Sequence, residues 1–96
     1  MKATLLLNDR QIVREDAFVE LRVWAVPSPV SGSEHSFKYA LAYVVQGACV
    51  LRFDNEAGKG DHLHLGNTEK PYRFTTPEQL LADFWKEVDA WKASTR

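Results

Sequence analysis

The run Asp54-Asn55-Glu56-Ala57-Gly58-Lys59-Gly60-Asp61-His62-Leu63-His64 gathers three carboxylates, a lysine and two histidines into eleven residues. Imidazole gives and takes protons near neutral pH. Two imidazoles two residues apart share one face of an extended chain. Three readings follow from these residue types. In the first, His62 and His64 divide acid–base cleavage of RNA: one takes the ribose 2′-hydroxyl proton and the other protonates the leaving 5′-oxygen. Lys59 joins them as a catalytic cation, Arg52 offsets phosphate charge, and Asp54, Glu56 and Asp61 orient histidine or lysine. No metal or other cofactor is needed. In the second reading, His62 and His64 are two ligands of a metal, with Asp54 or Glu56 as the third. In the third, the run is a polar hairpin whose histidines only hydrogen-bond nearby carboxylates. Residue types alone leave all three open.

A second place is His35-Ser36-Phe37-Lys38-Tyr39. If the strand beginning here lies beside the strand ending at Asp54, its start faces that strand's end. His35 and Lys38 then approach the charged run as phosphate-binding groups, together with Arg52. The plainer alternative is a solvated Lys38 and a Tyr39 packed in the sheet. Gly58-Lys59-Gly60 is too short for a GxxxxGK phosphate loop, and no serine sits in a nucleophile-elbow setting. Cys49 stands alone in an apolar run and reads as a buried thiol, with no disulfide framework.

The elements that must position these groups are mostly strands. Residues 3–7 read as a strand ending in a turn at Asn8-Asp9, with Gln11-Ile12-Val13-Arg14 pairing back. Phe18 to Val26 alternates, with Val19, Leu21, Val23 and Ala25 on one face. Pro27 to Ser33 breaks the pattern as the longest loop. Phe37–Gln46 and Cys49–Asp54 form a hairpin across Gln46-Gly47-Ala48. Asp61–Leu65 is a further strand, and Tyr72-Arg73-Phe74 a short edge strand. Thr76-Pro77-Glu78-Gln79 starts a helix, with Thr as cap and Pro at the first position. Leu80, Leu81, Phe84, Trp85, Val88 and Trp91 make its apolar stripe. The expected fold is α+β: a twisted antiparallel sheet of five to six strands, with one C-terminal helix packed on a face.

A chain of 96 residues is one domain, 1–96, with a modest core. A net charge of -1 argues against non-specific polyanion binding but allows a local basic site. The N-terminal apolar run is too short for a signal peptide, and no stretch reaches membrane-spanning length. The expected compartment is the cytoplasm.

The sequence resembles the TumE family of toxin–antitoxin toxins. The resemblance rests on Lys2-Ala3 with the apolar run to Leu7 and Asn8-Asp9-Arg10; on Pro29-Val30, Gly32-Ser33 and His35 with Lys38-Tyr39 and Tyr43; and on Phe53 through Gly60-Asp61-His62 and His64. Pro71-Tyr72, Phe74 and Glu78 through Phe84 also fit. The family usually has tyrosine where this chain has Phe53, and often arginine where it has Leu63. The resemblance implies a toxin encoded beside an antitoxin, usually a helix-turn-helix protein. By analogy with other small toxins the target would be RNA. Together the readings lead to a metal-independent endoribonuclease toxin that uses His62, His64 and Lys59. The alternatives are a non-catalytic protein- or nucleic-acid-binding module, or a metal-dependent nuclease. Expected partners are the helix-turn-helix antitoxin and RNA, with oligomers possible and no membrane involved.

Overall fold

The computed structural model describes residues 3–94, apart from the side chain of Glu56. Six strands precede one helix: β1 (Thr4–Arg14), β2 (Ala17–Ala25), β3 (Phe37–Val45), β4 (Ala48–Glu56), β5 (Gly60–Leu65), β6 (Thr68–Pro71) and α1 (Pro77–Ser94). They form one sheet in the order β1-β2-β3-β4-β5-β6, every neighbouring pair antiparallel. The α+β architecture expected from the sequence is the one observed. At the β3–β4 turn, Gln46 and Gly47 adopt φ of 50° and 80°. Positive φ at both positions matches the twist of a two-residue hairpin.

Strand alternation decides which face carries the core. Val19, Leu21 and Val23 of β2, Tyr39, Leu41 and Tyr43 of β3, and Leu51 and Phe53 of β4 are buried with Leu80, Phe84 and Val88 of the helix. The helix lies against β3 and β4, where Phe53 meets Phe84 edge to face at 5.8 Å. Such buried side chains contribute roughly 1.5–3 kcal/mol each. Among the described residues no helix covers the opposite face of the sheet.

The helix starts as expected. Thr76 Oγ1 accepts the Gln79 N–H at 3.1 Å, satisfying one of the orphan donors of the first turn. Thr76→Ala is expected to cost about 1 kcal/mol, or roughly 4–8 °C in a domain of this size. A thermal melt checks it; an unchanged midpoint would mean that the cap contributes nothing.

Three expectations differ from what is observed. Asn8-Asp9 is no turn: β1 runs unbroken, with Asn8 opposite Arg22 and Asp9 opposite Leu21. β2 is long enough to pair along the whole strand, and irregularities at Leu5/Leu7 and Ile12/Arg14 absorb the offset. The outer strand β6 lies at Thr68–Pro71 rather than at Tyr72–Phe74. Leu65 already pairs with Thr68, so the hairpin closes earlier, and Pro71 is tolerated at the end of an outermost strand. Cys49 is exposed rather than buried. It sits near the tip of the β3–β4 hairpin, just past the turn. Among the described residues no helix is long and apolar enough to cross a membrane.

Candidate functional site

The charged run forms the β4–β5 hairpin, with Asp54 opposite His62 and Arg52 opposite His64. Alternation then divides it between two faces. Asn55, Asp61 and Leu63 point with Phe53 towards the helix side. Arg52, Asp54, His62 and His64 point to the open side.

On the helix side the polar groups around Asp61 are occupied, although the buried Tyr43 hydroxyl farther along β3 has no hydrogen bond. The Asp61 carboxylate accepts hydrogen bonds from Ser33 Oγ (2.6 Å), His35 Nε2 (2.7 Å) and the Tyr39 hydroxyl (2.7 Å). His35 Nδ1 accepts the Phe37 N–H at 3.2 Å, so the ring proton lies on Nε2 and neither nitrogen is available. The ring stacks on Phe74 at 3.8 Å. Buried Asn55 accepts the Tyr39 N–H at 2.9 Å and donates to the Phe37 carbonyl at 2.7 Å. These bonds fasten the long loop to the β4–β5 turn. Gly32 and Gly60 meet there with φ of 94° and 77°. A Cβ on Gly32 would stand 2.7 Å from the Gly60 nitrogen, so the close approach requires glycine. The network borders a cleft of about 570 Å³, whose walls include His35, Lys59, Arg73 and Phe74.

The same bonds set the titration of this cluster. Burial alone would raise the Asp61 carboxyl, but hydrogen bonds from Ser33, Tyr39 and His35, and the field of His35, outweigh it and lower it. Burial first, then the bond to Asp61 and its charge, push the Tyr39 phenol well above the usual range. Burial and the bond to Asp83 do the same for Tyr72. A phenol whose pKa is raised by folding stabilises the native state below its unfolded pKa and loses that contribution as pH rises above it. Stability is therefore expected to fall above about pH 10 as the unfolded phenols ionise. Denaturant melts at pH 8 and pH 11 check this, and equal midpoints would contradict it.

On the open side the opposite holds. His62 Nδ1 stands 2.9 Å from the Gly60 carbonyl oxygen, which can only accept, so Nδ1 carries a proton. Its Nε2 stands 2.7 Å from Asp54 Oδ1, yet the two are misaligned and neither makes a hydrogen bond. Asp54 Oδ2 is held by Arg52 Nε at 3.0 Å. His64 Nδ1 is 3.4 Å from Glu69 Oε2, and its buried Nε2 has no hydrogen-bond partner. The two rings lie 4.9 Å apart, edge to face. One ligating atom from each of Asp54, His62 and His64 falls within 4.8 Å of the others. His62 is sealed, with 5% of its side chain exposed, against 27% for His64. A concavity of about 220 Å³ runs past Arg52 and His64. Lys59 Nζ reaches Glu69 Oε2 at 3.6 Å, at the rim.

The structure thus brings together Asp54, His62, His64 and Arg52, with Lys59 joined through Glu69. His35 and Asp61 meet each other, but across the sheet from the histidine pair. Asp61 orients His35 and not His62 or His64. Lys38 does not turn towards the run; its ammonium lies 5.6 Å from the centre of the Trp24 ring. Glu56 has its side chain outside the described residues. Glu69 escaped the sequence reading. It lies directly opposite His64, a pairing that becomes legible only once β6 begins at Thr68. Ser33, Tyr39 and Asn55 were also missed as a network, because their partners are distant in sequence.

Buried polar groups are nearly always hydrogen-bonded, so unsatisfied ones call for an explanation. Among the described residues three of the four such atoms fall in one trio; the fourth is the Tyr43 hydroxyl in the core. The family model described as Toxin TumE matches residues 2–92. No curated protein and no solved structure matches the chain.

Proposed function

Since the chain belongs to the TumE toxin family, we propose that it arrests growth by cutting RNA at the Asp54–His62–His64 trio. Family membership makes it the toxin of a toxin–antitoxin pair, with an antitoxin as partner. In our reading that antitoxin is a helix-turn-helix protein.

The observation that carries the cleavage reading is the trio's three orphaned atoms: Asp54 Oδ1, His62 Nε2 and His64 Nε2. A fold that satisfies every hydrogen bond of Asp61 and Asn55 leaves these unmade on the same hairpin. Buried groups without hydrogen bonds are candidates for reacting groups, and here two of them, His62 Nε2 and Asp54 Oδ1, face each other at 2.7 Å. Arg52 and Lys59 border the trio, paired with Asp54 and Glu69, and in our reading these are the cations that a phosphate would engage. A concavity lined by Arg52 and His64 lies on this face. Asp61 and its partners do not react. They fix Gly32 against Gly60, and Gly60 in turn supplies the carbonyl that holds the His62 ring.

The test is induced expression of the wild type and of His62→Ala/His64→Ala, with total RNA taken from each culture. Growth arrest with RNA fragments that vanish in the double variant is expected. Arrest that persists in the double variant without fragments would overturn the reading in favour of a binding inhibitor.

A further inference from the structure

We propose that Asp54, His62 and His64 bind one divalent transition-metal ion of the zinc, manganese or iron class. The ion occupies the centre proposed for cleavage and rests on that reading, but its binding is measured without RNA, so the two can fail separately.

Three observations carry it. The first is a close pair with no hydrogen bond. His62 Nε2 and Asp54 Oδ1 stand 2.7 Å apart without a hydrogen bond between them, while His62 Nδ1 is held by the Gly60 carbonyl. A cation shared by both atoms gives each of them a bond. The second is the state of the outer ring atoms. A metal-bound histidine usually has its other nitrogen on a carbonyl or carboxylate, which fixes the ring. His62 Nδ1 has the Gly60 carbonyl and His64 Nδ1 faces Glu69. Asp54 likewise has one oxygen held by Arg52 and the other left over. Each of the three side chains is therefore anchored on one side and open on the other. The third is distance. Ligands bonded at about 2.0–2.2 Å to one ion stand roughly 2.9–3.5 Å apart. The Asp54–His62 pair at 2.7 Å is already near that separation. All three ligating atoms lie within 4.8 Å of one another.

Two imidazoles and one carboxylate select the class of ion. The donors suit borderline divalent cations, and no thiolate is present to favour copper(I) or an iron–sulfur cluster. Calcium and magnesium prefer all-oxygen sites. Sequence reasoning kept a metal only as the rival to metal-free chemistry, because His-x-His is a weak signal. The third ligand becomes evident only when the β4–β5 register sets Asp54 opposite His62.

The experiment is calorimetric titration of the full chain, stripped with chelator, with zinc chloride and then manganese chloride. Cobalt(II) absorption serves as a geometric probe. One ion per chain is expected, with a raised melting temperature and visible cobalt bands of nitrogen–oxygen ligation. His64→Ala is expected to weaken binding at least about 100-fold, since even the groups that orient metal ligands are worth 10–100-fold. His64 is partly exposed, so this variant keeps its fold; Asp54→Asn, checked by circular dichroism, is the second. His35→Gln, across the sheet, should bind like the wild type. Failure of both metals to bind, or binding unchanged in His64→Ala and Asp54→Asn, overturns the site. If the stripped protein binds neither metal yet still cuts RNA, the cleavage reading stands and the ion falls.

Discussion

His64→Ala is expected to abolish growth arrest while leaving a folded protein. Its Nε2 is one of the three orphaned atoms, and the ring is the trio's most exposed member at 27%. Whether it carries a proton or ligates an ion, alanine removes the group and nothing nearby replaces it. Proton-transfer groups alone are worth about 10²–10⁴ in rate. A rise of at least about a hundredfold in plating efficiency over the induced wild type is the scale to look for: cells expressing the variant should form colonies nearly as well as uninduced cells. The stability effect should be small. His64 lies outside the core, and surface substitutions away from special features stay within about 0.5 kcal/mol. A melting temperature matched to the wild type, with toxicity gone, is the expected pair of results. Full toxicity from the folded variant would remove His64 from the chemistry.

Asp61→Ala should have the largest effect on stability. The carboxylate is 10% exposed and accepts three hydrogen bonds, from Ser33, His35 and Tyr39. Hydrogen bonds to a charged group contribute about 1.5–3 kcal/mol each, and buried donors left without a partner carry a further penalty. Because the three share one acceptor, their contributions do not simply add. A net loss of about 3–4 kcal/mol is a reasonable total, or roughly 12–30 °C in a domain of this size. The long loop would detach from the β4–β5 turn, and Gly60 would lose the contact that holds its carbonyl on His62. Toxicity should therefore fall as well, by misplacement rather than by loss of a reacting group. A melting temperature within a few degrees of the wild type would mean that the loop is held by other contacts. The acid side of the stability profile gives an independent check. The Asp61 pKa is lowered by folding, so its contribution is present above the ordinary carboxyl range and lost as pH falls below it. In Asp61→Ala that part of the acid dependence should be absent.

Much of the frame was legible in the sequence, and the reasons are local. The alternation of Val19, Leu21 and Val23 fixed both strand and face. Thr76, Pro77 and Gln79 marked the helix start before any contact was known. Asn8-Asp9 misled because turn chemistry is a preference, and the long pairing with β2 overrode it. The site was legible in composition but not in arrangement. His62 and His64 share a face by simple alternation, as expected. The same alternation puts Asp61 behind the sheet, where it serves His35. That Asp61 meets His35 depends on the pairing of β3, β4 and the long loop, which no short spacing encodes. Glu69 was hidden for a related reason: its link to His64 depends on where one hairpin closes.

The most direct measurement is cleavage by the purified chain. End-labelled total cellular RNA is incubated with the wild type, supplied with zinc or manganese, and with His64→Ala of equal melting temperature. Discrete fragments from the wild type and intact RNA with the variant are the expected result. Equal cleavage by the two proteins, or intact RNA beside a folded wild type that arrests cells, would contradict an RNA-cutting centre at Asp54, His62 and His64.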